Sequence, residues 1–256
     1  MSEQELVRLT FHASGAAEIL IDRPERHNAM TLDMYESLLA HVARCEANGD
    51  VRCILLRGAG GKSFVSGTDI GYFEDFRDGR DGIAYEAFVE HVIDTVERIA
   101  VPTIAVIDGW AVGGGLALAT ACDFRVCTEA SRFGAPIAKT LSNTLSSRNI
   151  ARLQAAFGTP RVKKMLMLAD YLTAEEALAC GYVQEVCTRE ALENAAHTLA
   201  QRLIALSPVT QHAVKESLRR IVIEQRLDDE DLIEAVYGSS RFKDAVAAFT
   251  TRRGRD

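Results

Sequence analysis

A strand-like apolar run ends in a turn that leads to a glycine triplet and a short helix of small residues. The run is Thr103 to Ile107, the turn is Asp108-Gly109, and the triplet Gly113-Gly114-Gly115 opens a helix predicted from Leu116 to Ala121. Glycines between a strand and a helix let the backbone approach a ligand closely, and free N–H groups of the first helical turn then point at it. The segment therefore predicts a site for an anion, or for a carbonyl oxygen that becomes one.

The helix after the triplet carries no side chain that transfers protons. Its first turn contains Leu116, Ala117 and Leu118, which provide no acid, base or nucleophile. The segment therefore supplies the electrostatic half of an active site without the usual proton-transfer half.

The charge and the cysteines argue against several classes of protein. The 256 residues carry a formal net charge of -7, so no global positive field is available to bind a nucleic acid. The six cysteines show no CxxC spacing, and we expect neither a metal site nor a disulfide framework. The chain shows no secretory signal and no stretch near the roughly 20 apolar residues of a membrane helix, so we expect a cytoplasmic protein without a membrane partner.

Strands alternate with amphipathic helices in the first three quarters of the chain. The predicted elements are a hairpin at 7–21, helices at 31–48 and 83–99, and buried strands at 51–56 and 103–107. This alternation indicates βαβ units and an α/β fold with a parallel sheet. Gly49 is expected to cap the first helix, and 71–82 is expected to be a charged loop. Helices at 190–206 and 208–225 follow, so we divide the chain into a core at 1–190 and a helical region at 191–256.

Six segments, in order, resemble the crotonase (enoyl-CoA hydratase/isomerase) superfamily over nearly the whole chain. They are IDRPERHNAMT near the start, SFVSGTDI at 63–70, IAVIDGWAVGGGLALATACDFRV at 104–126, FGAP at 133–136, LTAEEALACGYVQEV at 172–186 and FKDAVAAF at 242–249. The resemblance implies a spiral of ββα-like turns with a C-terminal helical trimerisation region. It also implies an acyl-CoA thioester ligand, no cofactor beyond the coenzyme A moiety of that substrate, and a homotrimer or a dimer of trimers.

In this family two backbone N–H groups hold the thioester oxygen, and the resemblance assigns them to Ser66 and Gly114. Removing an α-proton, adding water to an enoyl group, or losing CO2 beside a thioester all place negative charge on that oxygen. Because a backbone N–H does not depend on the side chain, Ser66 in place of the usual alanine should keep the site. Gly67, Asp69 and Gly113 flank the two donors and are predicted to contact the ligand. Asp69 has an alternative role as the N-cap of the short helix that follows it.

Two basic residues are candidates for the coenzyme A end of the ligand. Arg26 lies in the loop after the first hairpin, where relatives often place a basic residue near the nucleotide. Lys243 lies in the FKDAVAAF segment and would reach across a subunit interface. Both residues are equally compatible with ordinary surface charges.

Both catalytic glutamates of typical hydratases are replaced in this chain. One belongs two residues after the glycine triplet and the other directly after the proline of FGxP, and these positions hold Ala117 and Ile137. Neither side chain can move a proton. The resemblance therefore does not support hydration by the usual two glutamates.

The segment after FGAP offers hydroxyl and amide side chains where relatives line the acyl pocket. We predict that Thr140 and Asn143 orient the substrate through hydrogen bonds. The alternative is that Ser142 or Asn143 starts a helix that runs to Phe157. Trp110, beside the triplet, is predicted to pack in the core, with contact to the acyl chain as the alternative.

The residues favour an enzyme that polarises an acyl-CoA thioester and stabilises its enolate. Isomerisation and decarboxylation need fewer protein acids than hydration does, and CO2 leaves a malonyl-type thioester without a base. The alternative is a non-catalytic acyl-CoA-binding protein that keeps the fold but has lost the chemistry. A nucleotide-binding oxidoreductase is excluded, because GGG is not GxGxxG and the early strand–turn–helix unit of that motif is absent.

Overall fold

The computed structural model describes residues 5–253, and the strands within this range form two sheets. They are β1 (Val7–Phe11), β2 (Ala16–Ile21), β3 (Cys53–Gly58), β4 (Ser63–Val65), β5 (Thr103–Ile107), β6 (Trp110–Val112), β7 (Phe124–Thr128), β8 (Arg132–Gly134), β9 (Leu172–Thr173) and β10 (Glu185–Cys187). The larger sheet has the order β1-β2-β3-β5-β7-β10 and the smaller has the order β4-β6-β8-β9. The pairs β1–β2 and β8–β9 are antiparallel, and the other pairs are parallel.

Three successive passages of the chain each give one strand to each sheet and then a helix. The helices are α1 (Leu32–Glu46), α2 (Gly79–Arg98), α3 (Gly114–Ala121), α4 (Ser147–Met167), α5 (Ala174–Ala179), α6 (Arg189–Ile204), α7 (Pro208–Arg219), α8 (Glu230–Gly238) and α9 (Ser240–Arg253). The passages are β3-β4-α2, β5-β6-α3 and β7-β8-α4. They confirm the predicted α/β fold and its spiral of ββα units.

Capping residues explain where several helices begin. The Thr31 side chain accepts a hydrogen bond from the Met34 N–H at the start of α1, and Ser207 caps α7 with Pro208 in its first turn. Thr173 and Glu176 form a capping box at the start of α5. Each cap satisfies N–H groups that the first helical turn cannot bond internally.

Two predicted boundaries are wrong. Helix α1 ends at Glu46 with Ala47 as its C-cap, so Gly49 is not the cap. Helix α2 begins at Gly79 instead of Ile83, because Asp78 and Asp81 form a capping box that starts the helix inside the predicted loop. A short 3-10 helix, Ile70–Phe73, also lies in that stretch.

The larger sheet is buried on both faces. Its inner face packs in the main core with α1, α2 and α3, and its outer face is covered by α6 through Leu192, Leu199 and Leu203. Helix α6 therefore packs directly on the sheet of the preceding segment. The division at residue 190 stays a prediction, and its outermost residues, 1–4 and 254–256, lie outside the described range.

An ion-pair network joins α2 to the start of α4. The Arg152 guanidinium is almost fully buried, with 2% of its side chain exposed, and it donates to Glu90 at 2.7 Å and to Glu97 at 2.9 Å. Glu86 accepts the Ser146 N–H at 2.6 Å, and the Ser146 hydroxyl donates to Glu90 at 2.9 Å. Ser146 is also the N-cap of α4. The network therefore fixes the end of the segment that connects β8 to α4.

The C-terminal segment from α7 to α9 presents apolar side chains to the outside of the monomer. The larger ones include Val214, Leu218, Ile221, Leu227, Ile233, Tyr237, Phe242 and Val246. Within residues 5–253, no helix is both long enough and apolar enough to cross a membrane.

Candidate active site

A cavity of about 500 Å³ opens where the first two strands of the smaller sheet end. Strand β4 ends at Val65 and is followed by the first loop, residues 66–69. Strand β6 ends at Val112 and is followed by the glycine triplet, so the two loops meet at one edge of the sheet. The cavity is lined by Arg26, His27, Ala29, Ser63, Ser66, Thr68, Asp69, Ile70, Trp110, Val112 and Tyr171. Three of the predicted site residues, Arg26, Ser66 and Asp69, are among them.

Glycines allow the two loops to touch. A Cβ built on Gly67, whose φ is +107°, would lie 3.5 Å from the backbone nitrogen of Gly114. A Cβ on Gly115 would lie only 1.9 Å from the carbonyl oxygen of Val65, far inside van der Waals contact. The first loop and the triplet therefore lie side by side, and Gly115 is required by the close approach of α3 to β4.

Several backbone N–H groups of the two loops have no acceptor within the part of the chain that the structure describes. Gly114 opens α3, so its N–H has no partner inside the helix. The N–H groups of Ser66 and Thr68 also donate no hydrogen bond to residues 5–253. The Thr68 nitrogen lies 3.9 Å from the position that a Cβ on Gly114 would occupy. The first loop thus offers two candidate donors, and of these two nitrogens the one described near Gly114 is that of Thr68.

Three hydroxyl groups form a chain beneath these loops. The Thr68 Oγ1 lies 3.0 Å from the Tyr35 hydroxyl and 2.7 Å from the Tyr85 hydroxyl. A Cβ on Gly114 would lie 3.2 Å from the same Tyr35 hydroxyl, so this group touches both loops. Burial raises the pKa of Tyr85 to about 12 and raises the pKa of Tyr35 further above its usual value. Both phenols are therefore neutral at pH 7.

The Asp69 carboxylate is occupied by neighbouring protein groups. Its Oδ1 accepts the Gly71 N–H at 3.1 Å and its Oδ2 lies 2.6 Å from the Arg23 guanidinium. The hydrogen bond from Arg23 holds the pKa of Asp69 below its usual value. The alternative role of Asp69 as a helix N-cap is confirmed, although the residue still lines the cavity.

Two predicted orienting residues lie outside the cavity lining. The Thr140 hydroxyl donates to the Pro136 carbonyl at 3.0 Å, and Asn143 is exposed. The alternative that Ser142 or Asn143 starts the next helix is wrong, because α4 begins at Ser147 with Ser146 as its N-cap. The roles of Thr140 and Asn143 toward a substrate stay predictions.

The remaining predicted binding residues differ in their positions. Gly113 has φ of +56°, and its N–H donates to the Gly134 carbonyl at 3.0 Å, which anchors the triplet to β8. Lys243 lies exposed on α9 and does not line the cavity. Its predicted reach across a subunit interface stays a prediction.

The prediction that Trp110 packs in the core is wrong. Its side chain is 40% exposed, lines the cavity, and packs edge-on against Tyr171 with ring centroids 4.9 Å apart. Trp110 begins the short strand β6 of the smaller sheet, whose side chains reach the cavity edge. Sequence reasoning also missed His27, whose Nδ1 lies 3.2 Å from the Ser63 hydroxyl. His27 lies in the RPERHN part of the first family-like segment, where no local pattern marks it as a site residue.

The positions of the missing glutamates carry no proton-transfer group. Ala117 is buried in α3, and Ile137 is half-buried after β8. The cavity lining has one carboxylate, Asp69, in the described part of the chain. Cys122 is buried, and burial raises its thiol pKa to about 12, which makes it unreactive. Within residues 5–253, no group of three His, Cys, Asp or Glu side chains is placed to hold a metal ion.

Known proteins resemble this chain over almost its full length. Its sequence matches the Enoyl-CoA hydratase/isomerase family over residues 12–255. It is 29% identical to the short-chain-enoyl-CoA hydratase of Clostridium acetobutylicum over 241 residues, which is 93% of this chain and 92% of the relative. It is 30% identical to the human ethylmalonyl-CoA decarboxylase over 242 residues, covering 91% of this chain and 78% of the relative.

Solved structures agree with this relationship. An enoyl-CoA hydratase/carnithine racemase from Magnetospirillum magneticum superposes with a TM-score of 0.87 at 28% identity, covering 98% of this chain and 94% of that one. An enoyl-CoA hydratase/isomerase family protein from Hyphomonas neptunium gives a TM-score of 0.87 at 30% identity, covering 98% of this chain and 97% of that one. The chain therefore belongs to the enoyl-CoA hydratase/isomerase family of enzymes, within the crotonase superfamily.

Proposed function

We propose that this enzyme decarboxylates a malonyl-type acyl-CoA thioester through an enolate held by two backbone N–H groups. The observation that carries the proposal is the pairing of the first loop with Gly114 beside a cavity, with Ala117 and Ile137 at the positions of the usual glutamates. The similarity to ethylmalonyl-CoA decarboxylases from mouse and human supports the same reaction class.

The proposed mechanism needs charge stabilisation more than proton abstraction. The thioester oxygen accepts hydrogen bonds from Gly114 and from the first loop. The electrons of the bond to the carboxylate carbon move into the thioester as CO2 leaves, and the resulting negative charge resides largely on that oxygen. One backbone donor of this kind is typically worth about 3–4 kcal/mol in the transition state. The enolate then takes a proton at its α-carbon.

Coenzyme A would follow the cavity away from the thioester. Arg26 is exposed at the cavity wall and is placed to meet a phosphate, while Gly67, Asp69 and Gly113 shape the backbone around the thioester. No cofactor beyond the coenzyme A moiety is part of this proposal. The exposed apolar side chains of α7 to α9 support assembly into a trimer or a dimer of trimers, in which Lys243 of a neighbouring subunit would approach the nucleotide.

The second backbone donor can be identified by removing one N–H at a time. Replacing Thr68 or Ser66 with the matching α-hydroxy acid converts its amide to an ester, which removes the N–H and keeps the side chain. Because Thr68 N lies next to Gly114, we expect the ester at position 68 to lower kcat by about 100-fold to 1,000-fold. The ester at 66 should change kcat by less than about threefold. The opposite ranking would assign the donor to Ser66.

The reaction itself is tested with a panel of saturated, enoyl and malonyl-type thioesters incubated in D2O and analysed by mass spectrometry. We expect loss of CO2 from the malonyl-type substrate with one deuterium at the α-carbon. Hydration of the enoyl substrate without decarboxylation would refute the proposed reaction, and a shifted double bond would favour an isomerase. Binding of every thioester with no chemical change would instead support the non-catalytic alternative.

A further inference from the structure

The hydroxyl chain beneath the two loops has one hydrogen to spare. Tyr35, Thr68 and Tyr85 carry three hydroxyl hydrogens, but the chain contains only two hydrogen bonds, both at Thr68 Oγ1. A hydroxyl accepts up to two hydrogen bonds and donates one. When both tyrosines donate to Thr68, its two acceptor positions are filled and its own hydrogen is free. Within residues 5–253, no other acceptor lies within hydrogen-bond distance of this hydroxyl.

The surroundings favour this arrangement. Tyr35 is 2% exposed and Tyr85 is 8% exposed, so neither phenol has ready access to water as an alternative acceptor. Both remain protonated at neutral pH because burial raises their pKa values. Thr68, in contrast, is half-buried and lines the cavity directly beside Gly114. The free hydrogen is therefore carried by the member of the chain that lines the cavity.

We propose that the Thr68 hydroxyl is the acid that protonates the α-carbon of the enolate, with Tyr35 and Tyr85 donating to it from behind. This inference rests on the proposed function, because it supplies the proton-transfer group that Ala117 and Ile137 lack. It assigns proton transfer to a side chain of the first loop. The sequence had indicated only a backbone N–H group of that loop as functional.

Water supplies the proton that restores the hydroxyl chain after each turnover. The electron pair of the enolate forms a C–H bond with the Thr68 hydrogen as the O–H bond breaks, and Thr68 Oγ1 takes the hydrogen of Tyr85. The charge is then on the Tyr85 phenolate, which takes a proton from water and leaves hydroxide. Of the two phenols, Tyr85 is the one we expect to take up the proton from water. It is closer to Thr68, and its ring centroid lies 5.7 Å from that of the partly exposed Tyr72.

Substitutions at Thr68 separate this role from the backbone N–H. Thr68→Val removes the hydroxyl but keeps the N–H and nearly the same shape, whereas Thr68→Ser keeps both. We expect Thr68→Val to lower kcat for the malonyl-type thioester by about 100-fold or more, as for loss of a general acid. Its KM and its Kd for unreactive acetyl-CoA should change by less than about threefold. Thr68→Ser should restore kcat to within about tenfold of the wild type.

A matched control removes a similar buried hydroxyl elsewhere. Tyr182 is fully buried and its hydroxyl lies 3.0 Å from the hydroxyl of Thr120, away from the two loops. Tyr182→Phe should lower Tm about as much as Tyr85→Phe but leave kcat unchanged. Equal effects of both tyrosine variants on kcat would mean that the hydroxyl chain is only structural, which would overturn the proposal.

The stereochemistry of protonation gives a readout that folding does not affect. With an α-methyl malonyl-type thioester in D2O, the wild type should place deuterium on one face of the α-carbon. Thr68→Val should give both faces, because water then supplies the deuteron. A Thr68→Val variant with wild-type kcat and one-face labelling would overturn this inference and leave the decarboxylase intact. A wild type that binds thioesters without transforming any would overturn both.

Discussion

Replacing Gly115 by alanine is expected to destabilise the protein by at least about 3 kcal/mol, the upper range for overpacking a tight core. The added Cβ would lie 1.9 Å from the Val65 carbonyl oxygen, 2.6 Å from its carbonyl carbon and 2.8 Å from its Cβ. Backbone atoms cannot rotate away as a side-chain end can, so α3 and β4 must separate. This separation would also pull Gly114 away from the first loop.

Urea unfolding followed by circular dichroism measures this effect. Gly82→Ala is the matched control, since Gly82 lies in α2 and a Cβ there meets nothing within 4 Å. Because alanine favours helix more than glycine does, this variant should be stabilised by about 0.5–1 kcal/mol. A Gly115→Ala protein within about 1 kcal/mol of the wild type would show that α3 does not approach β4 as closely as described.

Replacing Arg152 by methionine is expected to cost about 3–5 kcal/mol of unfolding free energy at pH 7, the usual effect of removing one partner from a buried ion pair. The Arg152 side chain is 2% exposed, and its guanidinium pairs with both Glu90 and Glu97. Methionine fills much of the same volume but leaves these carboxylates without their cation. Arg148→Met on the same helix is the control, because Arg148 is exposed and should lose less than about 0.5 kcal/mol.

The loss of unfolding free energy in Arg152→Met should depend on pH. Burial already raises the pKa of Glu97 despite the opposing effect of Arg152, and removing Arg152 raises it further. A carboxyl whose pKa is higher in the folded state stabilises the protein below its unfolded pKa, and this contribution is lost as the pH rises through the folded pKa. The deficit of Arg152→Met should therefore be smallest near pH 4.5 and largest at neutral pH. A deficit that is constant with pH would mean that lost packing, and not charge, dominates.

Local signals predicted most of the elements and the close approach of the glycine triplet. Apolar periodicity and N-caps such as Thr31 and Ser207 depend only on a few neighbouring residues. The sequence alone therefore places α1 and α7. The glycine triplet indicated a close backbone approach for the same reason, and its role toward a ligand stays a prediction. The start of α2 was missed because its capping box uses Asp81 in place of the more usual glutamate.

The rest of the site depends on contacts that no local pattern records. Thr68 lies 33 residues from Tyr35 and 17 residues from Tyr85 along the chain. Tyr35 occupies a buried position of α1 where an apolar side chain would fit the helical pattern equally well. Trp110 was misplaced because its exposure depends on where the smaller sheet ends. These features follow from the way separate turns of the spiral meet.

The ββα spiral has a consequence for how such a protein evolves. The first loop follows β4 in one turn, and Gly114 follows β6 in the next, so the spacing of the two amides is set by the stacking of turns and not by either loop alone. Side chains around the two loops can then be exchanged without changing how their backbones meet. Under the proposed function, both glutamates could be lost in this way while the paired backbones stay in place, and a new proton donor could then come from any neighbouring turn.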